Sequence, residues 1–117
     1  MGQTARALAG REYAHVFFDL QNEAGHNYNR ATEDDLRLLV DAVRTADRAR
    51  LISVSMFNPD ADRQAGLVKR LGLSMLNFHD VPRGKGWGTR TASHVKRFRA
   101  ALDRVGLNVP IYAGEPD

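Results

Sequence analysis

The stretch LISVSMFNPDADRQAGLVKRLGLSMLNF, residues 51–78, decides the fold of this 117-residue chain. It begins and ends with apolar runs, 51–57 and 73–78, that are typical of buried strands. Between them Pro59 breaks the chain, apolar residues recur at helical spacing, and Gly72 ends the helix. This stretch therefore predicts a strand–helix–strand unit, whose two strands run parallel because a helix connects them.

The same alternation extends in both directions along the chain. Residues 13–21 predict a buried strand, and Thr32 is expected to cap the helix that follows. A helix is expected from Thr91 or Ser93 to Val105, and a last strand over 109–113. We therefore predict one α/β domain over the whole chain, with four parallel strands and right-handed helical crossovers. The apolar residues expected to face the sheet are Leu36, Leu39, Val40 and Val43, then Ala65, Val68 and Leu71, then Ala92, Val95, Phe98, Leu102 and Val105.

Composition excludes several classes of site. The chain has no cysteine, so it has neither disulfides nor thiolate metal ligands. Lysine and arginine number 17 against 14 acidic residues, and this small excess predicts a solvated surface more than a nucleic-acid site. No apolar run is long enough to span a membrane, and residues 1–11 lack the apolar segment of a secretory signal.

Two glutamates stand at the ends of predicted strands. Glu23 follows the first strand directly after Asn22, and Glu115 follows the last strand directly after Gly114. The carboxyl ends of parallel strands lie at one edge of a sheet, so we expect both carboxylates at that edge. Two carboxylates facing each other across a cleft are the groups that cleave glycosidic bonds.

Three segments resemble clan A glycoside hydrolases, the cellulase-like retaining (β/α)8 barrels. They are DLQNEA at 19–24, FHDVPR at 78–83 and YAGEP at 112–116. The resemblance implies a partial (β/α)8 TIM barrel in which this chain supplies strands four to seven. The strand-two arginine and the aromatic sugar platforms of that family have no counterpart in these residues.

The resemblance also implies roles for individual residues. Glu23 would be the acid/base and Glu115 the nucleophile in double-displacement hydrolysis of a β-linked oligo- or polysaccharide, without a cofactor. Asn22 would bind the 2-hydroxyl of the sugar. The other expected substrate contacts are His79, Arg83 and Trp87.

Alternative interpretations remain open. The glycines of Gly84–Gly88 suggest a phosphate or nucleotide site, although their spacing matches no established fingerprint. The basic residues of the helix 91–105 suggest nucleic-acid binding, although in a barrel fragment they would coat the outer, solvated face of the helix. A non-catalytic fragment that forms a homodimer by closing its open sheet edges is a third alternative. Asp19, inside the first predicted strand, is interpreted as a hydrogen-bonded core carboxylate.

Overall fold

A computed structural model describes residues 2–9, 13, 15–22, 31–56, 60–79 and 91–115, with Gly2 and Glu115 described by their backbone. Within these ranges the chain forms helices and strands in alternation. In chain order they are α1 (Gly2–Ala7), β1 (Phe18–Asp19), α2 (Glu33–Ala46), β2 (Ile52–Ser53), β3 (Ser55–Met56), α3 (Ala61–Leu71), β4 (Leu76–His79), α4 (Thr91–Arg104) and β5 (Ile111–Glu115).

All strand pairs in the described residues are parallel. β1 pairs with β2 in a two-stranded sheet, and β3, β4 and β5 pair in that order in a three-stranded sheet. Val54 alone separates β2 from β3. Ser55 N donates to Gln21 O at 3.0 Å, and Ser74 N donates to Ile52 O at 2.8 Å, so pairing continues on both sides of the 52–56 run. The predicted α/β class with parallel strands is confirmed.

The first strand is much shorter than predicted, and the expectation that it is buried is wrong. The chain becomes strand only at Phe18, and both Phe17 and Phe18 are half-buried. The guanidinium of Arg50 donates to the carbonyls of Tyr13 and Val16, the latter at 2.8 Å. These carbonyls are bound by a side chain, which explains why the segment before Phe18 does not lengthen the strand.

Capping residues define where the helices begin and end. Thr32 caps α2 as predicted, in a capping box: Asp35 N donates to Thr32 Oγ1 at 3.2 Å, and Thr32 N donates to Asp35 Oδ2 at 2.8 Å. Asp60 caps α3, and Gly72 ends it at a φ of 61°. Glycine suits this position because side chains rarely adopt a positive φ.

The hydrophobic core lies between the sheet and the helices. From the strands it takes apolar residues at alternate positions, among them Ile52, Val54, Leu76 and Phe78. The predicted helix faces are confirmed for α2 and α3, and for Phe98 and Leu102 of α4. For Ala92 and Val95 the prediction is wrong, because both are exposed. These two residues lie in the first turns of α4, and Val95 lines a surface groove with Ile111 at the outer strand β5.

Within the described part of the chain, none of the helices has both the length and the apolar character needed to cross a membrane.

Candidate functional site

The second face of the sheet is polar where the strands end. Side chains alternate between the two faces of a strand, so the neighbours of the core residues point away from the helices. We call this side the open face. Its side chains at the carboxyl ends of the strands are Asp19, Ser53, Ser55, Asn77 and His79.

Four of these side chains form one hydrogen-bonded cluster, the Asp19 network. Ser53 Oγ donates to Asp19 Oδ1 at 3.0 Å, and Ser55 Oγ donates to Asp19 Oδ2. Asn77 Nδ2 donates to Ser55 Oγ at 2.8 Å and lies 3.4 Å from Asp19 Oδ2. The network thus extends from β1 through β2 and β3 to β4.

Burial within the Asp19 network is uneven. The three donors are almost fully buried, with exposed fractions of 0% for Ser53, 1% for Ser55 and 2% for Asn77. Asp19 itself is exposed. The interpretation of Asp19 as a core carboxylate is therefore wrong about its burial, whereas its hydrogen bonding is confirmed. The donors hold the carboxylate at the surface of the open face.

One polar atom of the network has no partner. Asn77 Oδ1 is buried, and none of the described residues donates a hydrogen bond to it. Gly114 lies beside it: a Cβ built on Gly114 would lie 2.9 Å from Asn77 Oδ1 and 2.8 Å from His79 Nε2. Only a residue without a side chain fits at position 114 with these neighbours in place.

Two aromatic rings meet across the open face. Phe17, directly before β1, and Tyr112 in β5 form an edge-to-face pair with ring centroids 5.9 Å apart. The 52–56 run and β4 lie between these strands, so a flat sheet would separate them by about 14 Å. The aromatic contact spans that separation, and we infer that the sheet curves toward its open face.

Three of the predicted site residues lie at the carboxyl ends of strands. Asn22 is exposed just after β1, and half-buried His79 ends β4. His79 is in register with Glu115, the last residue of β5, across an irregularity between Phe78 and His79. The predictions for Glu23, Arg83, Trp87 and the Gly84–Gly88 loop lie outside the described residues, as does the side chain of Glu115.

Sequence reasoning missed the Asp19 network. Its members come from three separate segments, and no short motif joins them. A signal was present in the 52–56 run, where serines alternate with Ile52, Val54 and Met56. Such alternation predicts one polar and one apolar face for the strand, and the polar face holds the network.

Two other kinds of site find little support. The described residues contain no group of three His, Asp or Glu side chains that could hold a metal ion. In the basic helix α4, Arg99 Nη2 donates to Val109 O at 2.8 Å, and Arg104 pairs with Asp62 at 2.5 Å. Two of its basic side chains thus make bonds within the protein.

Comparison of the chain with protein-family models, with curated proteins and with solved structures finds no match.

Proposed function

We propose that the carboxyl-end edge of the open face hydrolyses β-glycosidic bonds by the retaining mechanism. Glu115 is the nucleophile and Glu23 the acid/base. The fold that we propose for it is a segment of a (β/α)8 barrel, in which the described strands correspond to strands four to seven.

The barrel proposal is supported by strand order and helix placement. The strands are neighbours in the order in which they occur in the chain, with 52–56 as one continuous run. Helices α2, α3 and α4 contribute to the core on one face. A barrel has this arrangement, with helices outside and strands in sequential order, whereas an open doubly wound sheet carries helices on both faces.

The contact between Phe17 and Tyr112, from which we infer a curved sheet, is the observation that carries the catalytic proposal. A retaining glycosidase needs its two carboxyl groups about 5 to 5.5 Å apart. Glu115 ends β5 and Glu23 follows β1, which would be too far apart on a flat sheet. The contact between Phe17 and Tyr112 supports a curved sheet, which would bring these two strands closer together on the open face.

The chemistry of the surroundings suits a sugar. On the open face, the exposed carboxylate of Asp19 and the half-buried imidazole of His79 lie at the carboxyl ends of β1 and β4. These groups can accept hydrogen bonds from hydroxyls or donate hydrogen bonds to them. Tyr112, which is 47% exposed, adds an aromatic surface. In the proposed mechanism Glu115 attacks the anomeric carbon while Glu23 protonates the leaving oxygen. Water, deprotonated by Glu23, then releases the sugar.

Hydrolysis of 4-nitrophenyl β-glycosides, measured by release of 4-nitrophenolate, tests the proposal. We expect Glu115→Gln to lower kcat by about a thousandfold or more, and Glu23→Gln by about 10²–10⁴-fold. Asp41→Asn, an equivalent change at an exposed position on α2, should leave kcat unchanged. Wild-type protein without activity on gluco-, manno- and xylo-configured substrates, or activity that survives both glutamate changes, would refute the proposal.

A second candidate is a non-catalytic homodimer that pairs exposed strand edges. The groove beside the outer strand β5 favours it, since Val95 there is 37% exposed and lies next to half-buried Ile111. Light scattering during size-exclusion chromatography distinguishes the two forms by mass. A dimer that Val95→Lys converts to monomer supports this candidate, and a monomeric wild-type protein rejects it.

A further inference from the structure

The Asp19 carboxylate combines exposure with a fixed orientation. Asp19 is exposed, so solvent and dissolved ligands reach its side chain. Ser53 Oγ donates to one carboxylate oxygen at 3.0 Å, and Ser55 Oγ donates to the other. Both serines are at most 1% exposed, and hydrogen bonds to both oxygens restrict rotation of the carboxylate. A ligand that binds this group does not have to immobilise it first, which lowers the entropic cost of binding.

The negative charge of Asp19 has no positive partner within the described part of the chain. The groups that bond it are two hydroxyls and the side-chain amide of Asn77, all of them uncharged. The salt bridges between described residues involve other carboxylates, those of Glu33, Asp47 and Asp62. The charge of Asp19 therefore attracts a cation, and the low-dielectric protein on one side of it strengthens that attraction relative to bulk water.

The Asp19 carboxylate also has acceptor capacity left for a ligand. An ionised carboxylate offers about four lone-pair sites on its two oxygens. The described donors occupy one site on Oδ1, through Ser53, and at most two on Oδ2, through Ser55 and Asn77. A site on Oδ1 therefore remains for a donor that approaches from solvent.

An aromatic ring lies beside the Asp19 network on the same face of the sheet. Tyr112 is in register with Asn77 on the neighbouring strand, at the usual strand spacing of about 4.8 Å. Its side chain is 47% exposed and contacts Phe17, which is two residues before Asp19. The face of an aromatic ring attracts cations, so the ring and the carboxylate favour the same kind of ligand group.

The ligand group that suits this position is an ammonium. It donates three hydrogen bonds and carries the positive charge that the described surroundings of Asp19 lack. A hydroxyl could use the remaining acceptor site but would leave the negative charge without a counter-ion. A metal ion needs several protein ligands, and no group of three His, Asp or Glu side chains suited to one is found among the described residues.

We propose that Asp19 binds the ammonium group of a ligand at the carboxyl-end edge of the open face. The ammonium follows from the carboxylate and its surroundings. The identity of the whole ligand as a β-linked amino sugar rests on the proposed function. Ser53 and Ser55 are positioning residues, because they act on the ligand only through the orientation of Asp19.

Two S-linked trisaccharides that resist hydrolysis test the proposal by calorimetry at pH 6. One is a trimer of glucosamine and the other a trimer of glucose, so they differ in an ammonium or a hydroxyl at C2. We expect the glucosamine trimer to bind at least about tenfold more tightly. Asp19→Asn keeps the shape and one acceptor oxygen but removes the charge, and it should reduce this preference to less than about twofold.

Asp41→Asn makes the same chemical change at an exposed position on α2 and should keep the wild-type preference. Equal affinity of the wild-type protein for the two trimers, or binding of neither, overturns the proposal. A preference that survives Asp19→Asn, or that Asp41→Asn removes as well, also overturns it.

Nuclear magnetic resonance of the wild-type protein gives a readout that needs no variant. The side-chain carboxyl carbon signal of Asp19 should shift when the glucosamine trimer is added, whereas that of Asp41 should not. Binding that leaves the Asp19 signal in place contradicts the proposal. Ammonium-dependent binding at Asp19 without hydrolysis of any aryl glycoside would refute the proposed function and leave this proposal standing, and hydrolysis without a preference for the ammonium would do the reverse.

Discussion

The two faces of the sheet differ in the polarity of their side chains. The helix-covered face is apolar and closed, with Ile52, Val54 and Phe78 at most 1% exposed. The open face carries polar side chains from the same strands, and its carboxylate, Asp19, remains exposed while its donors are buried. The first arrangement stabilises the fold by burial, and the second joins neighbouring strands by hydrogen bonds between side chains. The contrast shows that residues at alternate positions of the same strands meet two different needs, an apolar core and a polar network.

Truncating an aromatic ring on each face should give the largest measurable difference. Phe78, 1% exposed, stacks on Phe98 with ring centroids 4.7 Å apart, so Phe78→Ala should lower the free energy of unfolding by about 3–5 kcal/mol. Tyr112→Ala on the open face should cost less than about 1.5 kcal/mol, because Tyr112 is 47% exposed. Urea denaturation measures both. Equal losses would show that the open face is also packed as a core.

A buried charge at the amino ends of the strands should give the next largest effect. Arg50 is 3% exposed, pairs with Asp47 at 2.9 Å, and donates to the carbonyls of Leu8, Tyr13 and Val16. Arg50→Met removes the bonds from the guanidinium to all of these acceptors and should cost about 3 kcal/mol. Hydrogen exchange should also speed up in α1. Arg48 is an exposed neighbour of Arg50, so Arg48→Met should change neither the free energy of unfolding nor the hydrogen exchange of α1.

The Asp19 network should contribute a smaller amount to stability. Ser55 both donates to Asp19 and accepts from Asn77, so Ser55→Ala should cost about 1–3 kcal/mol. Ser53→Ala removes one donor and should cost less. The Tm values of the two variants, measured by thermal unfolding, show which change costs more. A larger loss for Ser53→Ala would show that the network is not organised around Ser55.

We expect the smallest effect on stability from an ion pair at the protein surface. Arg70 donates to both carboxylate oxygens of Glu33 at 2.9 Å, and this hydrogen bonding lowers the pKa of Glu33. A lowered folded pKa gives stability that is present above the ordinary glutamate value of about 4.3 and is lost as the pH falls below it. The free energy of unfolding, measured by chemical denaturation from pH 6 to pH 3, should therefore fall less steeply in Glu33→Gln than in the wild-type protein.

We expect Glu33→Gln to change the free energy of unfolding by less than about 1 kcal/mol, because the side chains of Arg70 and Glu33 are both partly exposed. Asp34→Asn, an exposed neighbour in the same helical turn, serves as the control and should keep the wild-type pH profile. Identical profiles for wild type and Glu33→Gln would show that the Arg70 bridge does not contribute.

Sequence alone predicted what depends on local patterns. Thr32 was identifiable as a cap, Gly72 as a helix end, and Val40 and Val68 as core residues, because each acts within one or two turns of helix. The parallel direction of the strands follows from the helical connections. These features need no information from distant parts of the chain.

The remaining features depend on contacts between distant segments. The first strand is short because Arg50 occupies the carbonyls before it, from 34 residues away in sequence. The Asp19 network joins β1 to β4, and the unpaired Asn77 Oδ1 depends on where Gly114 passes. Val95 is exposed because α4 lies at the outer strand β5. No periodicity along the chain encodes any of these relations.

Covalent trapping tests the central claim most directly. The nucleophile of a retaining enzyme attacks the anomeric carbon of a 2,4-dinitrophenyl 2-deoxy-2-fluoro-β-glycoside. The reagent loses dinitrophenolate, and the fluorosugar stays bound to the nucleophile. The protein is treated with gluco-, manno- and xylo-configured reagents. Intact mass spectrometry and peptide mapping should then find one fluorosugar on Glu115 of the wild-type protein and none on the Glu115→Gln variant. A label on any other residue, or no label with any of the three reagents, would contradict the account.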